Sequence, residues 1–321
     1  MDLHKMIRSA MLGVAVGDAL GVPVEFYDRA VRKQDPVTGM RGGGFHGQKP
    51  GTWSDDTSMA LALMDSLTRR GFDPQDQMRC YVDWMWSAKY TARGLTFDVG
   101  GTVSEAVDKF CDGTQLEQCG SWSEQSCGNG SLMRIMPMAL YLYGTGRGEL
   151  NDETAPLIHA SSAVTHAHPR CLMACGIYCA VVFRLCAGEE IRAAVQNGLR
   201  DALDYYAGQK AFAGEMDKFR SLATIGTWPE QMLSGSGYVL HTLQSSLWCL
   251  LNTESYSECV LKAVNLGEDT DTTAAVAGGL AGLYYGEESI PTEWLDVLAR
   301  REDIRYMCDA FADTLGEKNN D

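Results

Sequence analysis

Apolar residues recur along most of the chain at helical spacing. Met6, Ala10, Met11, Val14 and Leu20 follow a helical period, and Gly21 and Pro23 end the run. Met59, Ala60, Leu63, Met64 and Leu67 form a second stripe, closed by Gly71. The same reading predicts helices over 75–88, 102–111, 131–143, 153–163, 170–186, 189–206, 236–251, 255–265, 272–285 and 291–312. Period-two alternation gives no convincing signal, so no strand is predicted. The segments "CLMACGIYCAVVFRLCAG" and "TTAAVAGGLAGLYYG" are apolar around most of their circumference, which places them inside a bundle. The expected fold is all-α, a compact single-domain bundle over residues 1–321. Glycine-rich stretches at 39–51, 94–101 and 120–130 read as loops rather than linkers.

Charge narrows the partners. The formal net charge is −15, and no basic run is longer than a pair such as Arg69-Arg70 or Arg300-Arg301. A phosphate backbone is held by clustered Lys and Arg, so no nucleic-acid affinity is expected. The eleven cysteines are odd in number and show no paired framework. No apolar stretch runs uninterrupted for about 18 residues, and the first one is broken by Asp18 and Glu25 without a cleavage pattern. The expectation is no membrane span, no leader and a reduced, cytoplasmic setting. Cys171, Cys175 and Cys179 share one helix face; they read as buried small hydrophobes, because zinc thiolates come in closer pairs.

Two acidic motifs stand at the mouths of apolar helices. "GTWSDDTSMA" carries Asp55 and Asp56 between Ser54 and Thr57, and "GEDTDTTAAV" carries Asp269 and Asp271 among threonines. One reading is helix capping, since such residues accept first-turn N–H bonds and suit the helix dipole. A cap needs one residue, however, and each motif supplies at least four. If both helices start at one face, four converging carboxylates cannot stay ionised without compensation. Oxygen ligands of this kind suit hard cations, and four negative charges balance two divalent ions such as Mg²⁺ or Mn²⁺.

Other segments carry weaker signals. "SCGNGSLMRIMPMAL" places Gly128, Asn129 and Gly130 before a helix predicted from Ser131, either an anion-cradling loop or a plain turn. Arg134, one turn in, backs an anion or pairs with an acid. Asp98 in "LTFDVGGTV" is a carboxylate on a glycine loop, either a general base or an Asx-turn residue. Asp18 reads as structural near a helix end, whereas Glu25 follows Pro23 on a loop and can face a site. His166 and His168 in "THAHPR" read as capping or hydrogen-bonding histidines rather than zinc ligands.

Taken in order, "GVAVGDALGVPVEF", "GTWSDDTSMAL", "FDVGGTV", "GNGSLMRIMP", "THAHPR", "SGYVLHTLQSSLWCLLN" and "AVNLGEDTDTTAAVAGGLAGLYYG" resemble the ADP-ribosylglycohydrolase family. The resemblance implies an all-helical hydrolase with two divalent ions, Mg²⁺ or Mn²⁺, held by Ser54, Asp55, Asp56, Asp269, Asp271 and Thr272. It implies that Ser126, Cys127, Gly128, Asn129, Gly130 and Ser131 form the diphosphate loop, that His166 lies near ribose and phosphate, and that Tyr238 meets the adenosine end. Asp98 matches the acid/base of the bacterial archetype, and Glu25 matches a metal-side glutamate of another branch. The implied substrate is an ADP-ribosylated protein or small molecule, cleaved at C1″, with arginine the first expectation and serine, nucleobase or non-catalytic binding the alternatives. A two-metal phosphohydrolase is the rival reading of the same acids. Four positions depart from the family pattern: Ser54 for Thr at the start of the first acidic motif, Cys127 for an aromatic, His241 for Asp in "GYVLHTL", and Glu268 for Gly in "NLGEDTDT".

Overall fold

The computed structural model describes residues 2–318. The first half contains α1 (Leu3–Gly21), α2 (Arg29–Gln34), α3 (Asp55–Arg70), α4 (Pro74–Ser87), α5 (Gly101–Cys111), α6 (Met136–Gly144) and α7 (Ala155–Ala163). The second contains α8 (Pro169–Cys186), α9 (Ile191–Ala207), α10 (Met216–Phe219), α11 (Val239–Leu251), α12 (Tyr256–Val264), α13 (Thr270–Tyr285), α14 (Thr292–Val297) and α15 (Arg301–Lys318). No strand occurs among the described residues; three isolated bridges are the only β pairing there. The all-α expectation holds.

The centre of the bundle is the antiparallel pair α1 and α13, with α3, α6, α8, α11, α12 and α15 around it. The pair approaches closely because glycines face each other. A Cβ on Gly13 would lie 2.3 Å from the Gly278 carbonyl oxygen, and one on Gly17 would lie 2.1 Å from that of Ala274. At the end of the seam, a Cβ on Gly21 would sit 2.3 Å from the Asp271 Cα. Only hydrogen fits there, so the seam fixes the start of α13 beside the end of α1.

Helices α1 and α8 extend the picture drawn from sequence. Leu3–Val24 and Pro169–Cys186 are long and apolar enough to cross a membrane, yet 94% and 89% of these windows are buried within the fold. Their apolar surface is satisfied by neighbouring helices. Cys171, Cys175 and Cys179 are fully buried on α8 and belong to that packing.

The remaining differences lie at breaks. The helix predicted from Ser131 begins at Met136, and residues 131–134 are turns. Pro137 sits in the first turn of α6, where its missing N–H leaves no helical bond unmade. The single helix predicted over 291–312 is two, α14 and α15, separated by Arg300 at φ 50°. The short helices α2 and α10 carry too few residues to show a period.

Candidate active site

The acidic motifs meet where the α1–α13 seam ends. Asp18, near the end of α1, accepts the Ser54 N–H at 2.8 Å and hydroxyl at 3.0 Å, and the Thr57 N–H at 3.0 Å and hydroxyl at 2.6 Å. Those two backbone donors are the ones an N-cap and its third residue leave free, so α1 caps α3 in trans. Ser54, at the N-cap itself, makes no such bond to its own helix. Asp55 and Asp56 are therefore not needed as caps.

Across the seam, the Thr272 hydroxyl donates to Asp56 Oδ2 at 3.4 Å, joining the two motifs directly. Oxygens of Asp18, Asp56 and Asp271 lie within 4.8 Å of one another, as do those of Glu25, Asp269 and Asp271. Burial raises every member of this group. It pushes Asp55, Asp56 and Asp271 well above the carboxylate range, helped by their acidic neighbours. Glu25 rises to about 10, through burial first and then Asp98, Asp269 and Asp55. Asp18 rises to about 6 by burial, held back by its bonds from Thr57 and Ser54.

The group is suited to cations by its donor chemistry. Asp56 Oδ1 and Asp271 Oδ2 are buried and have no hydrogen-bond partner. A buried carboxylate oxygen without a donor costs about 1–3 kcal/mol, so the arrangement is incomplete without a positive partner. A donor set made up of carboxylate and hydroxyl oxygens suits a hard divalent ion. Asp18 differs, since both of its oxygens are saturated by donors.

A cavity of about 240 Å³ opens above these acids. Its lining combines Glu25, Asp55, Asp98, Asp269 and Thr272 with Gly128, Asn129, Gly130 and His166. The loop at 127–130 is held in place by pairing with residues 237–239: Asn129 N–H donates to Gly237 O at 3.0 Å and Val239 N–H to Cys127 O at 3.0 Å. The Asn129 side-chain amide reaches Asp269 Oδ2 at 2.7 Å and ties the loop to the acids. Gly100 to Val103, at the start of α5, also line it.

His166 is set by a buried relay. Arg134 donates to the Thr165 hydroxyl at 2.7 Å, and that hydroxyl lies 2.8 Å from His166 Nδ1. A guanidinium only donates, so the Thr165 hydroxyl is free to donate to Nδ1; that assignment puts the His166 proton on Nε2. That nitrogen faces the glycine loop, 3.3 Å from where a Gly130 Cβ would stand. Burial and then Arg134 lower the His166 pKa to about 3, which keeps the ring neutral. Arg134 also binds the Gly130 carbonyl at 2.8 Å and lies over the Tyr81 ring at 4.7 Å. It braces the loop from behind; among the described residues it forms no ion pair with an acid.

The other sequence candidates lie farther out. Ser126 ends a short turn, Cys127 is buried beside Cys171, and Ser131 is buried against Cys175. Tyr238 lies over Arg170 at 5.6 Å, outside the cavity wall. His168 caps α8 by accepting the Arg170 N–H at 3.2 Å. One site residue escaped the sequence reading: His46, whose Nε2 is 2.6 Å from Glu25 Oε2 and 3.7 Å from Asp98 Oδ1. Its signal was a lone histidine inside the glycine run "GGGFHGQ".

The family profile for ADP-ribosylglycohydrolase matches residues 1–321. The chain belongs to the ADP-ribosylglycohydrolase family. Within it, the chain is 32% identical over 317 residues to the ADP-ribosyl-[dinitrogen reductase] glycohydrolase of Rhodospirillum rubrum, covering 97% of this chain and 96% of that protein. It is 30% identical to ADP-ribosylarginine hydrolase Tri1 of Pseudomonas putida (95% and 77% covered), and 24% identical to human ADP-ribosylhydrolase ARH3 (89% and 87%). A solved ADP-ribosylglycohydrolase-related protein complex contains a chain that superposes with a TM-score of 0.74 at 31% identity, covering 98% of this chain and 99% of that one. Membership makes this protein an ADP-ribosylglycohydrolase, an enzyme acting on ADP-ribosylated substrates.

Proposed function

We propose that this enzyme hydrolyses the C1″ bond between ADP-ribose and an arginine guanidinium on protein, reversing mono-ADP-ribosylation. The observation that carries the proposal is a cavity whose lining has two chemically opposite parts. One part of its lining is all carboxylate and hydroxyl; the other offers a glycine loop and a neutral histidine. The second part suits a diphosphate, and the first suits a sugar diol held through divalent ions. Relatives named for arginine and for dinitrogen reductase, at 30% and 32% identity, support the acceptor.

Ser54, Asp55, Asp56, Asp269, Asp271 and Thr272 would hold two divalent ions, Mg²⁺ or Mn²⁺. Such ions would supply charge to bind and orient the vicinal hydroxyls of the distal ribose. The residues of the chain do the rest. Asn129 and the Gly128–Gly130 backbone fix the loop against Asp269, so the diphosphate and the ribose are positioned relative to one another. Asp98 serves as acid/base, deprotonating the attacking water as an oxocarbenium-like centre develops. Its side chain is 22% exposed against 6% for Glu25, which places it nearer the face through which the acceptor leaves. Asp98 holds its loop at φ 55°, a backbone conformation that Asp tolerates better than most residues.

A second reading is cleavage of an O-linked serine with Glu25 as the acid. Its support is the raised pKa of Glu25, together with the ARH3 relatives at 24–25% identity. One assay separates the readings. The protein with Mg²⁺ or Mn²⁺ is incubated with arginine- and serine-linked ADP-ribosylated substrates, and free ADP-ribose and phosphate are followed. Release of ADP-ribose from the arginine linkage is expected. Release from serine alone would replace the arginine reading, and phosphate release would point to the phosphohydrolase.

A further inference from the structure

Beside the cavity, two phenylalanines stand open to solvent. Phe26 is 57% exposed and Phe45 is 73% exposed, and they pack edge to face with centroids 4.9 Å apart. Both rest on the His46 ring, at 5.8 and 5.2 Å, and Phe97 meets that ring at 5.1 Å. The same histidine touches Glu25 and approaches Asp98 through Nε2. The aromatic cluster is thus one ring away from the acidic wall.

The backbone that carries these rings is tightly held. Phe26 sits at φ 68°, and its N–H donates to Glu268 O at 2.8 Å; Glu268, at φ 63°, returns a bond from its own N–H to Tyr27 O at 2.7 Å. Non-glycine residues in this region are strained, and such strain concentrates at functional sites. Phe45 rides on a tight turn closed by Gly43 N–H to Gln48 O at 2.7 Å. The turn is seated on Pro23 so closely that a Cβ on Gly44 would fall 2.1 Å from the Pro23 carbonyl oxygen. A backbone held this firmly presents the aromatic patch as a surface, and exposed apolar patches of this kind mark binding sites.

We propose that the Phe26–Phe45 rim is the subsite for the acceptor, and that it selects a planar cation: the guanidinium of an ADP-ribosylated arginine. Ring faces attract a guanidinium through their quadrupole and offer little to a serine hydroxyl. Asp98, which approaches the same His46 ring, adds negative charge beside the rim, and a delocalised cation between ring and carboxylate satisfies both. Neither phenylalanine lines the cavity, so the rim is separate from the surfaces that would hold ADP-ribose.

This inference rests on the arginine reading above, and one experiment tests them separately. Steady-state kinetics of the ion-loaded full-length protein are compared with those of Phe45→Ala, Phe26→Leu and Phe45→Tyr, on arginine-linked and serine-linked substrates. Inhibition by free ADP-ribose is measured alongside. Loss of the exposed Phe45 ring is expected to raise KM for the arginine linkage roughly fivefold to tenfold, with ADP-ribose inhibition unchanged within about twofold. Phe45→Tyr, which keeps a ring, is expected to behave as the parent. If the parent cleaves the arginine linkage and the alanine variant shows the same KM, the subsite is wrong and the function stands. A parallel loss of ADP-ribose affinity also overturns the subsite. A parent inactive on the arginine linkage overturns both.

Discussion

The Asp18 carboxylate accepts both the backbone N–H and the hydroxyl of Thr57, at 3.0 and 2.6 Å, across 39 residues of sequence. A residue at the end of one core helix thereby caps the start of another, which releases Asp55 to line the cavity and Asp56 to meet Thr272. Replacement of Asp18 by alanine leaves the Ser54 and Thr57 N–H groups buried without an acceptor. Asp18→Ala is expected to destabilise the protein by about 2–4 kcal/mol in urea unfolding, more than an ordinary surface cap removal. A loss below about 0.5 kcal/mol would mean that α3 is capped from elsewhere.

The orphaned oxygens of Asp56 and Asp271 make an opposite claim. Their charges oppose folding unless a cation sits between them. Asp56→Asn and Asp271→Asn are each expected to raise the melting temperature of the ion-free protein, by a few degrees for about 1 kcal/mol. They are also expected to remove the stabilisation that Mg²⁺ or Mn²⁺ gives the parent. Thermal melts with and without the ions, supported by calorimetric titration, check both halves. A variant that keeps the parent's ion-dependent shift would move the ion site elsewhere.

The same acids set the response to pH. Glu25 is held at about 10 and Asp18 at about 6, while the unfolded chain releases these protons near its ordinary carboxylate range, about 4. Between those limits the folded protein binds more protons than the unfolded one, so stability falls as pH rises. The ion-free protein is expected to melt at a lower temperature at about pH 8 than at about pH 6. Divalent ions replace the protons, so saturating Mg²⁺ or Mn²⁺ should shrink that difference. Equal slopes in the two conditions would contradict the assignment.

The relay behind His166 is tested through Thr165. Thr165→Val keeps the shape and removes the hydroxyl that receives Arg134 and donates to Nδ1. ADP-ribose affinity is expected to fall roughly threefold to tenfold, the value of about one hydrogen bond. Nitrogen NMR of the His166 ring should show that the Nε2–H form no longer dominates, and Thr165→Ser should restore both readouts. An unchanged tautomer in the valine variant would remove Thr165 from the relay.

Much of the molecule is legible in the sequence because helical periodicity is a local property. The stripes at Met6–Leu20 and Met59–Leu67, the apolar cores of α8 and α13, and the all-α class follow from spacing and burial alone. The excess of acids at two helix starts was visible for the same reason, since one cap explains only one of them. The resemblance added the order of the motifs and the class of chemistry. Boundaries failed where local signals compete: Pro137 delays α6 to Met136, and Arg300 in a left-handed turn divides α14 from α15.

Convergence was a tertiary decision. Gly13, Gly17 and Gly21 were printed at four-residue intervals, but only the facing Gly278, Ala274 and Asp271 turn that spacing into a close seam. That seam sets Asp56 against Thr272 and gives Asp18 its work as a cap rather than a mere end-of-helix acid. His46 joins Glu25 and Asp98 for a related reason: the loop carrying it is folded back onto Pro23, and no local pattern encodes that contact. The sequence by itself determined which residues prefer helix, which must be buried, and which acids lack a local partner. Which of those acids share one pocket depended on backbone approach over more than two hundred residues, because burial energies and cavity geometry arise only once distant helices are packed.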